Sequence, residues 1–135
     1  MCAATRFRVL GCALLATVLT ACSAHARDQD LAESITRAIY DDDLAGTTAN
    51  FDDSLKKQVT RGELGVLSDR MHALGQYESL APRSADPAAG RYEYDATFSN
   101  GSLLVQLRVD PDGKVAAYRV QPETVPTTAS TSANG

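Results

Sequence analysis

Residues 91–121 read RYEYDATFSNGSLLVQLRVDPDGKVAAYRVQ, and their alternation decides the fold. Asn100-Gly101 is the dipeptide of a two-residue hairpin turn. A turn there pairs Phe98 with Leu103, Ala96 with Val105, Tyr94 with Leu107 and Tyr92 with Val109, all apolar. The opposite face then sets Glu93 across from Arg108 and Asp95 across from Gln106, a charge-compatible solvent side. The following turn, Pro111-Asp112-Gly113-Lys114, sets Val109 opposite Ala116, Leu107 opposite Tyr118 and Val105 opposite Val120. One face stays apolar through both hairpins. A one-residue slip would turn that face to water, so the spacing predicts a three-strand antiparallel meander.

Upstream, the apolar period changes from two to about 3.6. Thr60-Arg61-Gly62-Glu63 is a capping box, and Leu64, Leu67, Met71 and Leu74 follow on one helical face before Gly75 in the stop position. Asp30 offers an N-cap to a first helix over about 31–42, whose stripe is Leu31, Ile35, Ala38 and Ile39. Asp41, Asp42 and Asp43 stand at its C-terminal end, where the helix dipole disfavours negative charge, so the helix is expected to stop there. Residues 44–57 read as short helical or irregular chain. Gln76 to Leu80 reads as a short strand, and residues 81–90, with two prolines, as a loop. The expected fold is α+β: N-terminal helices packed on a curved antiparallel sheet of about four strands.

The first 26 residues have a different character. Arg6 and Arg8 precede an apolar run of 13 residues from Val9 to Ala21, and small residues follow. That is the layout of a bacterial export signal, and the run is shorter than the roughly 20 residues that span a bilayer. Two cleavage patterns compete. Leu19-Thr20-Ala21-Cys22 resembles the bacterial lipobox, which makes Cys22 the lipidation site and the mature N-terminus, whereas Ala24-His25-Ala26 fits the ordinary A-x-A rule. The lipobox is preferred because every position of it is satisfied. Ser23 in place of Asp then resembles the signal for transfer to the outer membrane. Cleavage at Ala26 gives a soluble periplasmic or secreted protein instead.

The expected organisation is a signal peptide over 1–21, a tether over 22–29, the folded domain over 30–122 and a disordered tail over 123–135, which has no apolar period. Export removes Cys2 and Cys12, leaving Cys22 alone and no intramolecular disulfide. The whole chain carries a net charge of −4 and a pI near 5.0. Loss of Arg6 and Arg8 leaves 11 basic against 17 acidic residues, a net of −6. Such a chain lacks the basic surface that nucleic acid requires.

Helices first, a capped helix ending in Gly, then a strand and a meander closing on Gly-Lys-Val: this order resembles the small exported domains of the nuclear-transport-factor-2-like superfamily. The matching stretches are Phe51-Asp-Asp-Ser-Leu55, Leu64 to Gly75 with the following Gln-Tyr-Glu-Ser, Tyr92 to Phe98 and Val109 to Val120. The resemblance implies a cystatin-like cone wrapping a curved sheet around a helix, in a superfamily that holds both isomerase-like enzymes and non-catalytic members, so fold alone does not choose the function.

Few residues suggest chemistry. His72 turns away from its helix's stripe and reads as solvated, and the scattered glycines form no phosphate-cradling loop. Asp41, Asp42, Asp43, Asp52 and Asp53 lack the spacing and the closing Glu of an EF-hand loop. No metal and no cofactor are expected. The leading reading is a non-enzymatic periplasmic lipoprotein, held in the membrane by its lipid, that binds a protein or small ligand through its sheet or cone mouth. Its sharper form is an immunity or inhibitor protein whose Asp41, Asp42 and Asp43 meet a basic toxin or cell-wall hydrolase. The rival is a pocket enzyme or carrier for a small apolar molecule, with Tyr92, Tyr94, Leu107 and Tyr118 around the pocket and a carboxyl group inside. A structural envelope lipoprotein without a specific ligand is the third reading.

Overall fold

The computed structural model describes residues 21–123. The signal segment up to Thr20, the side chain of Cys22 and the tail from Thr124 lie outside the described residues.

Four helices precede four strands: α1 (Ala21–Tyr40), α2 (Leu44–Thr48), α3 (Asp53–Gln58), α4 (Arg61–Ala73), β1 (Tyr77–Asp86), β2 (Arg91–Phe98), β3 (Gly101–Val109) and β4 (Val115–Pro122). The strands form one antiparallel sheet in the order β1-β2-β3-β4, curved and open, as the alternation implied. The helices lie N-terminal to the sheet, so the fold is α+β.

Helix α1 begins ten residues before the position expected from Asp30. No Gly or Pro falls between Ala21 and Tyr40 to break a helix, and Ala21, Ala24 and Ala26 favour one. Contacts also hold this first part down. The Gln29 side-chain amide donates to the Leu80 carbonyl at 3.2 Å, and the His25 ring meets Tyr92 edge-on at 6.0 Å between centroids. Ala32, Ile35, Thr36 and Ile39 are the buried stripe, at i, i+3, i+4 and i+7. The helix ends in a Schellman motif: Asp42 stands at φ 55°, its N–H donates to the Ile39 carbonyl, and the Asp43 N–H donates to that of Ala38.

The other helices are capped by side chains. Asp43 accepts from the Gly46 N–H at 3.0 Å at the start of α2, and Asp52 from the Leu55 N–H at 2.6 Å at the start of α3. Thr60 and Glu63 form the capping box of α4 as expected. That helix buries Leu64, Ser68 and Met71, with Leu67 and Leu74 half-buried, and ends before Gly75 at φ 93°.

The meander keeps the predicted faces with a shifted first register. Phe98 pairs with Gly101, so Ser99 and Asn100 form the turn, and Ala96, Tyr94 and Tyr92 face Leu103, Val105 and Leu107. The slip is two positions, which preserves parity. Its cause lies in α4: the Asn100 N–H donates to the Leu74 carbonyl, the Ser99 N–H to that of Gln76, and Leu74 covers Gly101. The second hairpin has Leu107 opposite Tyr118 and Val105 opposite Val120 as expected, but a bulge sets Val109 opposite Val115 rather than Ala116.

Strand β1 is twice its expected length. It continues through Pro82 to Asp86, an edge position where a missing N–H is tolerated, with irregularities between Tyr77 and Ser79 and between Pro82 and Ser84. The expected long loop shrinks to a turn over Pro87–Ala89 and Gly90. The opposite edge is covered where Phe51 bridges to Val115.

Candidate functional site

The inner face of the sheet carries the tyrosines. Tyr92, Leu107 and Tyr118 form one row across β2, β3 and β4, and Tyr94, Val105 and Val120 form the next. Tyr94 and Leu107 are only 3% and 2% exposed, within the core built with Ile35 and Ile39. Thr36 donates to the Ala32 carbonyl at 2.7 Å and lies 2.7 Å from the Tyr118 hydroxyl. A threonine has one hydroxyl hydrogen and a carbonyl only accepts, so Tyr118 is the donor of the second bond. Burial pushes the Tyr94 and Tyr118 hydroxyls up from the usual range. Tyr92 is pushed up to about 12, by burial first and the neighbouring Asp28 carboxylate second. These phenols are neutral donors at physiological pH, not bases. The Asp28 carboxylate beside Tyr92 comes from the stretch read as a tether.

Tyr118 also borders a cleft of about 120 Å³ between the helices and β4, with Phe51, Leu55, Val59, Leu64 and Leu67 as its apolar wall. Leu55, Val59 and Leu67 are half-buried at its mouth. Beside them on α4, Val66 is 62% exposed. The polar groups at this cleft are already occupied: Glu63 bonds within the capping box and Tyr118 bonds to Thr36. The cleft was not legible in the sequence because Phe51 and Leu55 fall in the 44–57 segment whose helical form was open, and Val59 lies between that segment and the capped helix.

The three aspartates form a corner rather than a ring of free carboxylates. Asp43 caps α2, and Asp42 reaches Arg61 at 3.3 Å while its other carboxylate oxygen is buried without a partner. Asp41 is exposed. Among the described residues no group of three or more His, Cys, Asp and Glu is placed to hold a metal ion. His72 is exposed on α4, stacks on Tyr40 at 4.0 Å between centroids, and uses Nδ1 on the Ser68 carbonyl at 2.9 Å.

Among the described residues no helix lies over the outer face of the sheet, and its middle is a polar network. Arg83 pairs with Asp95 at 2.9 Å and Glu123 at 3.6 Å, and Glu93 accepts from Gln106 and Ser84, both at 2.8 Å. Those two bonds hold the Glu93 carboxyl below its ordinary range. The corrected register overturns the charge-compatible pairing expected here. Arg91, not Glu93, stands opposite Arg108. Arg119, opposite Gln106, completes a cluster around a shallow hollow of about 390 Å³. Among the described residues none of the three arginines makes an ion pair. Placing the turn at Ser99-Asn100 is the one step that would have revealed this cluster from sequence.

No protein family, no curated protein and no solved structure matches the chain. Among the described residues no helix is long and apolar enough to cross a membrane.

Proposed function

We propose that this protein is a non-enzymatic lipoprotein of the bacterial envelope, acylated at Cys22, with a cone of the nuclear-transport-factor-2-like kind that binds a protein partner through the apolar cleft at its mouth. The observation that carries the reading is the cleft itself. Its volume of about 120 Å³ suits one large apolar side chain, exposed Val66 follows its wall residues Leu64 and Leu67 on the same helix, and its polar neighbours are committed to structural bonds. An apolar anchor entering such a recess is the usual centre of a protein interface. A catalytic pocket needs titratable groups free to act, and Glu63 and Tyr118 are not. An inhibitor or immunity role is the narrower form of this reading, with Asp41 as the remaining free carboxylate of the acidic corner.

The test is capture from envelope extract on the immobilised exported chain, beside the variants Val66→Asp and Leu67→Asp. A stoichiometric protein held by the wild type and lost from both variants supports the reading. A protein held equally by all three, or a co-purified small molecule in the cleft, refutes it.

A further inference from the structure

The arginine cluster on the outer face is an electrostatic liability as the free protein presents it. Like charges directly opposite on neighbouring strands destabilise a sheet, and Arg91 faces Arg108 in that way. Among the described residues no neighbouring acid forms an ion pair with either arginine. Asp86, the β1 partner of Arg91, turns its carboxylate to the Ala89 N–H, and Asp110 bonds the Asp112 and Lys114 N–H groups. Three guanidinium groups against the one Glu93 carboxylate leave a local excess of about two positive charges, which suits a phosphate group better than a lone carboxylate.

The position of the cluster points to the source of that phosphate. Helix α1 runs unbroken from Ala21, and His25 lies against Tyr92, the neighbour of Arg91. Cys22 is therefore less than one helical turn before the residue that touches this end of the sheet. An acyl anchor at Cys22 holds the Arg91 and Arg108 end beside the headgroups. We propose that Arg91, Arg108 and Arg119 dock the outer face of the sheet on anionic lipid phosphates, leaving the helical side and its cleft free for a partner. The choice of a lipid over a soluble phosphate rests on the anchored reading above.

The test uses the exported chain carrying Cys22→Ser, which has no acyl group, sedimented with vesicles of phosphatidylcholine alone or mixed with phosphatidic acid. The expected result is binding to the mixed vesicles only, abolished by high salt. Arg91→Gln and Arg108→Gln each lower the partition about fivefold, and Arg37→Gln, on the helical side, leaves it unchanged. Equal binding by the groove variants and wild type, or no binding to the mixed vesicles, overturns the proposal. Displacement by millimolar glycerol phosphate overturns the lipid choice in favour of a soluble phosphate ligand. Fatty-acid labelling of Cys22 in cells separates the two readings. Labelled protein without vesicle binding sinks this proposal alone, and vesicle binding without labelling sinks the anchor alone.

Discussion

The Tyr118 hydroxyl donates to the Thr36 hydroxyl at 2.7 Å, tying edge strand β4 to the last turns of α1 through the core. Because Thr36 passes its own hydrogen to the Ala32 carbonyl, the two bonds form a relay with a fixed direction. Removing either end has unequal consequences. Tyr118→Phe leaves Thr36 bonded and is expected to cost about 1 kcal/mol, whereas Thr36→Val strands the tyrosine hydroxyl and is expected to cost about 2 kcal/mol. Urea titrations of both variants and the double variant measure this. Equal single-variant losses that add in the double variant would contradict the relay.

Alkaline stability follows from four tyrosines, Tyr77, Tyr92, Tyr94 and Tyr118. Each is held neutral by burial, so its folded pKa lies above the unfolded value of about 10. The stabilisation is complete below pH about 10 and is lost as pH rises through the folded values, about 12 for Tyr77 and Tyr92. Tyrosinate absorbance and far-ultraviolet circular dichroism are expected to change together above pH about 10. Tyrosinate forming with the sheet intact would show that these hydroxyls are not held by the fold.

Two glycines with positive φ separate backbone strain from steric overlap. Gly90 stands at φ 62°, and a methyl group there would overlap the Val109 carbonyl oxygen of the neighbouring strand. Gly113 stands at φ 77° in open space. Gly113→Ala is expected to cost about 1 kcal/mol, the left-handed penalty alone. Gly90→Ala is expected to cost clearly more, because main chain has to move. Thermal unfolding of the two variants gives the comparison.

The acidic corner offers a stabilising substitution. Asp42 occupies the left-handed position that glycine usually takes at a helix end, and it leaves one buried carboxylate oxygen unpartnered. Asp42→Gly removes both costs and gives up only an exposed pair with Arg61, worth roughly 0–1 kcal/mol. The melting temperature is expected to equal or exceed that of the wild type, whereas Asp43→Ala, which removes the α2 cap, is expected to lower it.

The arginine pair predicts a trade. Arg108→Glu replaces a repulsive cross-strand pair with an attractive one, and is expected to raise stability by about 0.2–1 kcal/mol. The same change is expected to abolish sedimentation with phosphatidic acid vesicles. Lower stability together with unchanged sedimentation would show that the cluster is neither strained nor functional.

Much of this architecture was legible because alternation and capping are local signals. The faces of β2 and β3, the box of Thr60 and Glu63 and the stop at Gly75 depend on residues a few positions apart. The errors came from distant partners. The start of α1 depends on Tyr92 and Leu80, and the first hairpin turn depends on the end of α4. Strand β1 continues through Pro82 because β2 offers a partner there. The candidate site was harder to read for the same reason. Arg91 and Arg108 look unrelated until the register is fixed, and the cleft draws its wall from four separate helices and β4.

The continuity of α1 has a mechanical consequence. Twenty residues of uninterrupted helix make a rod about 30 Å long, fastened by its inner stripe to the body it carries. A protein held by a floppy leash samples every attitude above a bilayer, whereas one held by the tip of such a rod has its tilt set by the rod. Were Cys22 acylated as proposed, which surface looks outward and which looks down would be written into the helix rather than left to diffusion.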